Sequence, residues 1–375
     1  MEVSYNNIFI NLHEALKQKR GKDNIEVDYN TVANSTINVG YLDRKKIKRV
    51  IIYLRSKGCE WSCKTNGGCF MCGHYFGTSK GKELPKNSFV NQFKKEFVKY
   101  DYLNIPIICI YNAGSILNNQ EIENDELLEI LKIVSQNKHI KRIIIESRPE
   151  FINHKILSRI SDSCQEQIIE IGIGLETAAD DIRNKCINKG FTFNSYIESV
   201  CKIRKFSNIK VLTYITVKPL FLTINEGIED VINSIRAISD YTDIISLEPV
   251  SIQKNTLTEY LYKNKLYTLS KGWMVKDIIM RLSDYKLLDE FELRIGGFEF
   301  YPIPDLVISN CELCNKKLYN AIDSYNSTKN IKALRELTCT CEEEYLKEKF
   351  NDKNKYTLDE RINKAMNCLL KGIIE

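Results

Sequence analysis

Proline and histidine are scarce in this chain of 375 residues, which has 7 prolines, 17 glycines and 4 histidines (His13, His74, His139 and His154). So little proline and glycine, beside 43% hydrophobic and 27% charged residues, excludes collagen-like, low-complexity and disordered readings. Four histidines disfavour a His-ligated zinc or non-haem iron centre and leave sulfur as the ligand to consider. A large excess of one charge is also missing: 54 Lys and Arg against 49 Asp and Glu give +5, too little to imply a nucleic-acid partner alone. No apolar run reaches the ~18 residues of a membrane helix. The first residues (MEVSYNNIFINLHEALK) lack the basic flank, apolar stretch and cleavage site of a signal peptide. The reading is a soluble, cytoplasmic protein with no membrane partner and with reduced thiols.

Cysteine is what the chain does have. Thirteen is an odd count in a long chain, unlike the disulfide framework of a short secreted domain, so the thiols bind metal, act as nucleophiles or pack. From residue 50 onward, β-branched runs alternate with segments of helical period. The runs are 50–54 (VIIYL), 105–111 (IPIICIY), 142–146 (RIIIE), 168–174 (IIEIGIG), 209–217 (IKVLTYITV) and 243–247 (DIISL). Leu127, Ile130, Leu131 and Val134 predict a helix capped by Asn124 or Asp125, and residues 225–239 predict another. Six βα units with right-handed crossovers predict an α/β fold, a partial (β/α)6 TIM-like barrel. Length allows two to three domains at about 150 residues each. The division expected is an N-terminal extension (1–40), the barrel (41–300) and a small Cys-rich C-terminal module (301–375).

Functional groups of parallel α/β folds gather at the carboxyl ends of strands. Cys59, Cys63, Cys69 and Cys72 follow the first run on one short loop. A structural zinc would use all four, whereas a [4Fe-4S] cluster needs three thiolates and leaves one iron open to chelate a ligand. A second set, Cys311 and Cys314 (C-x2-C) with Cys339 and Cys341 (C-x-C), could surround zinc, another iron-sulfur cluster or nothing, and zinc is the most economical. Cys109, Cys164, Cys186, Cys201 and Cys368 read as packing residues. The basic run Arg44, Lys45, Lys46, Lys48, Arg49 is a solvated face or a phosphate contact.

The spacing Cys59-x9-Cys69-x2-Cys72 resembles the radical-SAM (radical S-adenosylmethionine) domain of the Elongator catalytic subunit, and more closely the archaeosine-synthase radical-SAM subunit. The stretch around Gly67, Gly68, Cys69, Met71, Cys72 and Gly73 carries the likeness, with YNAGS (111–115), ESRPEF (146–151), GLETAADDIR (174–183), NKGFT (188–192), KPLFLT (218–223) and SLEPVSIQ (246–253). It spans about residues 40 to 345, and its specificity lies in ordered motifs at successive strand ends.

The resemblance implies that Cys59, Cys69 and Cys72 ligate a [4Fe-4S] cluster, with Cys63 a non-ligand. It implies S-adenosylmethionine near Asn112, Gly114, Ser115, Glu146, Arg148 and Glu176, and a structural Zn2+ on Cys311, Cys314, Cys339 and Cys341. It also implies an electron donor such as flavodoxin or ferredoxin, a tRNA substrate and a partner modification enzyme. Reaction in the family starts from a deoxyadenosyl radical that abstracts hydrogen; the archaeosine type cleaves a C-N bond of a lysine adduct on a deazaguanine base. Residues 267–273 (YTLSKGW) and 301–309 (YPIPDLVIS) depart from that type and are expected substrate contacts, so the departures bear on substrate rather than cofactor. The competing readings are the same chemistry on a small molecule or peptide, and a non-catalytic zinc-binding interaction protein.

Overall fold

Isoleucine-rich runs such as 107–110 (IICI) and 143–145 (III) bury both faces, which suits interior strands of a parallel sheet. The computed structural model describes residues 5–19, 28–64, 67–297, 301–352 and 356–374. Its first half comprises α1 (Tyr5–Lys19), β1 (Asn34–Leu42), β2 (Lys45–Tyr53), α2 (Glu60–Cys63), α3 (Ser88–Phe97), β3 (Ile107–Tyr111), α4 (Asn124–Ser135), β4 (Arg142–Glu146), α5 (His154–Ser163) and β5 (Ile168–Glu176). Then come α6 (Asp180–Ile182), α7 (Phe193–Ile203), β6 (Ile209–Val217), α8 (Ile224–Ile238), β7 (Ile244–Pro249), α9 (Leu257–Lys263), α10 (Gly272–Asp284) and β8 (Glu292–Ile295). The chain ends with α11 (Glu312–Thr328), α12 (Lys332–Arg335), α13 (Cys341–Asn351) and α14 (Leu358–Ile374).

Eight strands form one sheet in the order β1 to β8, curled into a partial TIM-like barrel. The six expected strands are β2 to β7, and β8 adds a seventh parallel strand, too short and too charged (ELRI) to show a β pattern. β1 joins β2 antiparallel through the two-residue turn Asp43-Arg44. The expected cap of α4 is corrected: Asn124 is already helical, the cap position is Glu123 without a side-chain bond, and Asn119 Oδ1 accepts from Asn124 N at 2.9 Å. α8 carries a capping box, with Thr223 and Glu226 each accepting the other's backbone N–H.

Outward residues such as Val50, Ile52, Ile108, Ile145 and Ile171 pack against the helices in the main core. Inward residues, Ile51, Tyr53, Cys109, Ile144 and Leu212 among them, form a separate cluster inside the curl. At the barrel's amino end, buried Glu170 takes Arg294 through two bonds of 2.8 and 3.0 Å and Arg142 at 2.8 Å, so charge closes the floor. The seam between β8 and β1 is covered by α11: Asn326 exchanges two 2.8 Å bonds with the backbone of Ile295, and Asp323 accepts from Tyr41 at 2.7 Å. A third core gathers α1, α14 and the cysteine loop around Phe9, Phe70, Phe221 and Met366. No described helix is long and apolar enough to cross a membrane.

Candidate active site and a four-cysteine group

The loop after β2 carries Cys59 at the N-cap of α2, Cys63 at its last residue, and Cys69 and Cys72 joined by a turn in which Cys72 N donates to Cys69 O at 3.0 Å. Groups from several strand ends fix this loop. Glu121, after β3, accepts from Glu60 N at 2.8 Å and Ser115 N at 2.6 Å, and also from the amides of Asn112 and Asn118. Asn188, after β5, donates to Gly68 O and accepts from the Trp61 indole, each at 2.8 Å, while Phe70 N donates to Ile187 O at 2.9 Å. Gln253, after β7, accepts from Gly73 N at 2.6 Å. Two glycines are required by these contacts: a Cβ on Gly190, whose φ is +71°, would lie 2.1 Å from the Trp61 ring, and one on Gly73 would lie 2.2 Å from Gln253 Oε1. α1 lies over the loop, with His13 and Phe9 against Phe70 and the Lys17 ammonium donating to Ser62 O.

The strand-end residues singled out in the sequence meet at this same rim. Asn112 and Ser115 are buried; Asn112 O accepts from Ser56, and Ser115 Oγ accepts from Arg148 N at 3.1 Å. A Cβ on Gly114 would lie 2.0 Å from Glu121 Oε2 and 2.9 Å from Cys59 Cα, so the close approach it permits is by the protein's own groups. Glu146 accepts from Tyr214 OH at 2.9 Å, and burial pushes its carboxyl up to about 7. Glu176 pairs with Lys189 at 2.7 Å and accepts from Thr216 at 2.5 Å. Burial opposes the Lys189 charge, but Glu176 outweighs it and the ammonium titrates above its usual range. Arg148 does not pair with Glu146; it binds Glu150 at 2.6 Å and Lys189 O at 2.8 Å, and lies over the Trp61 and Phe191 rings.

Glu248, at the end of β7, is a further acid on this rim; it accepts from Ser246 at 2.6 Å, and burial pushes it up to about 7. Glu121, Asn188, Lys189 and Gln253 had no role in the sequence reading, although the last three fall inside its quoted motifs NKGFT and SLEPVSIQ. Lys218 is held by Thr268 O at 2.6 Å beneath the Tyr267 ring, where burial draws it down to about 8. The expectation for residues 267–273 is corrected: Tyr267 and Trp273 are core residues. In residues 301–309, Tyr301 packs on Tyr53 and its carbonyl bonds His74 Nδ1 at 2.8 Å, while Ile303 is 84% exposed. Of the five isolated cysteines, Cys109, Cys164 and Cys186 are buried as expected, but Cys201 and Cys368 are exposed.

Cys311, Cys314, Cys339 and Cys341 converge at the starts of α11 and α13, all sulfurs within 4.8 Å of one another, a group able to surround one metal ion. Trp273 Nε1 donates to Cys341 Sγ at 3.3 Å. Cys59, Cys69 and Cys72 offer a soft thiolate set on one loop at a strand end, which fits a cubane in which each thiolate binds a different iron.

No protein-family model matches the chain. Archaeosine synthase subunit beta of Methanosarcina acetivorans is 26% identical over 344 residues, 91% of this chain and 94% of that protein. Its namesake from Thermococcus kodakarensis is 30% identical over 232 residues, 62% of this chain and 71% of that protein. Among solved structures, Elp3 of Methanocaldococcus infernus with an N-terminal deletion has a TM-score of 0.45 at 14% identity, over 62% of this chain and 57% of that one. By class the protein is a radical-SAM enzyme. The chain belongs to the archaeosine synthase subunit beta family, which sets aside the non-catalytic reading.

Proposed function

We propose that the protein modifies a base in tRNA by archaeosine-synthase-like C-N bond cleavage, with Cys59, Cys69 and Cys72 holding a [4Fe-4S] cluster and Asn112, Gly114, Ser115, Glu146, Arg148 and Glu176 lining the place of S-adenosylmethionine. The carrying observation is the loop of Cys59, Cys63, Cys69 and Cys72 clamped by Glu121, Asn188 and Gln253 from the ends of β3, β5 and β7. When bound, these cofactors supply a deoxyadenosyl radical able to take hydrogen from an unactivated carbon. Glu146, Glu176 and Lys189 orient polar groups at the mouth, and Tyr53, Tyr111 and Tyr301 exclude water beneath it. Arg148, clamped between aromatic rings, positions the 188–190 segment and shapes the site's wall.

Zinc at Cys311, Cys314, Cys339 and Cys341 belongs to the same reading. Four thiolates about 2.3 Å from one ion stand ~3.8 Å apart. The sulfur pairs Cys311–Cys314, Cys311–Cys339 and Cys314–Cys341 are each 3.6 Å apart. The reading keeps residues 41–300 as the catalytic barrel, 1–40 as its extension and 301–375 as the zinc-binding module, with a flavodoxin- or ferredoxin-type donor and a partner modification enzyme, in the cytoplasm.

Anaerobic reconstitution with iron and sulfide tests it: a brown protein that cleaves S-adenosylmethionine on reduction is expected, and a colourless one carrying two zinc ions overturns it. Cys69→Ala should abolish both colour and cleavage, while Cys63→Ala retains them. Mass spectrometry of tRNA nucleosides from cells with and without the protein should show one modified base missing.

A further inference from the structure

The basic run of the sequence lies at the end of the barrel opposite the cysteine loop. β2 starts at Lys45 beside the β1–β2 turn and ends at Tyr53 beneath the site, so at about 3.3 Å per residue the turn stands roughly 25 Å from the mouth. Arg44, Lys45, Lys46 and Lys48 are exposed there. Lys46 is paired with Asp323 at 2.8 Å; among the described residues no ion pair holds Arg44, Lys45 or Lys48. The turn itself is unusual, because Arg44 occupies the left-handed region at φ +60°, the position that a two-residue hairpin turn normally gives to glycine.

The neighbouring loop continues the charge. β3 pairs Arg49 with Ile107, and β4 pairs Ile107 with Arg142, so Lys48 and Lys141 sit in one row on either side of β3, ~10 Å apart by strand spacing. Lys138 and Lys141 are both exposed. The acids at this end are taken up by other cations: Asp323 by Lys46 and Tyr41, Glu170 by Arg142 and Arg294, and Glu292 by Arg294 and Lys329.

We propose that this distal rim is a phosphate-anchoring surface for a folded RNA, Arg44, Lys45, Lys48 and Lys141 gripping the backbone while another part of the same molecule enters the barrel mouth. The inference rests on the tRNA reading above and adds a size requirement to it. A free nucleoside cannot span roughly 25 Å from rim to mouth, whereas a base-paired arm of about eight pairs, at about 3.4 Å per pair, can.

Filter binding of unfractionated tRNA across a salt series tests the proposal on the full-length protein. Each phosphate contact contributes about 0.7 to 0.9 to the slope of log K against log salt. Arg44→Gln/Lys45→Gln/Lys48→Gln should lower that slope by about 2 to 3 and weaken binding at least about tenfold near 0.1 M salt. Reductive cleavage of S-adenosylmethionine without RNA should be unchanged. Lys316→Gln/Lys317→Gln/Lys347→Gln, which removes the same charge from exposed sites on α11 and α13, should leave the slope as in the wild type. Equal losses in both triple variants, or none in either, overturn the anchor. Should the first variant misfold, Lys48→Gln alone must lower the slope by about 1. Wild-type protein that binds tRNA but changes no nucleoside defeats the modification reading and leaves the anchor standing. If the wild type instead shows no salt-dependent tRNA binding, and the rim captures an acidic protein, the anchor itself is refuted.

Discussion

Three buried acids, Glu146 and Glu248 at strand ends and Asp230 on α8, govern how the protein responds to pH. Burial raises Glu146 and Glu248 to about 7 and Asp230, under Thr177, to about 6. The folded state therefore holds protons that the unfolded chain has already released, so stability is fully present below the ordinary carboxylate range and is lost as pH rises toward 7. Carboxylates shifted the other way, such as Glu60 through its bonds to Lys64 and Asn118, act below the ordinary carboxylate range, and the His74 imidazole, which burial draws down, opposes the trend as one group against three. The ligand-free protein should melt at progressively lower temperature from pH 5 to 7 and level off above, by calorimetry at constant ionic strength. Glu248→Gln, which cannot ionise, should flatten that fall; a variant curve parallel to wild type would disprove the assignment. Glu248 was present in the sequence only as part of SLEPVSIQ, since nothing in a strand pattern says which carboxylate a curled sheet will bury.

At the scale of elements, the open side of the barrel depends on α11. The peptide N–H and C=O of Ile295 have no strand beyond them, and Asn326 supplies both partners from a helix 31 residues later. Asn326→Ala removes both and leaves buried backbone groups unpaired, at a cost of about 1 to 3 kcal/mol for each such group. A urea midpoint lowered accordingly, with unchanged slope, is the expected outcome; Asn326→Asp, which keeps only the acceptor, should fall between. The helical periods of α4 and α8 could be read directly, because apolar residues three and four apart must share a face. The long-range bond from Asn326 could not, since a buried asparagine on a helix has the same pattern as an exposed one.

The whole molecule encloses its cysteine loop from two directions, with strand-end groups below and α1 with α14 above. Phe9 meets Phe70 at 6.3 Å between ring centroids, and His13 meets it at 5.9 Å. Deleting residues 1–27 should leave the barrel folded but its reconstituted iron bleaching several-fold faster in air, measured by visible absorbance. Equal bleaching rates would mean that α1 does not shield the loop. The sequence by itself determined the alternation of βα units and the placing of the thiol loop and polar motifs at strand ends, because burial periodicity and chain order are local properties. It also supplied the four C-terminal cysteines, whose spacing is written in the chain. Only the tertiary structure decided that Glu121, Asn188 and Gln253 clamp one loop, that Arg148 turns to Glu150, and that Tyr267 and Trp273 are core. It alone showed that Lys141 stands level with Lys48 across β3, because strand register, not residue type, sets which charges share a row.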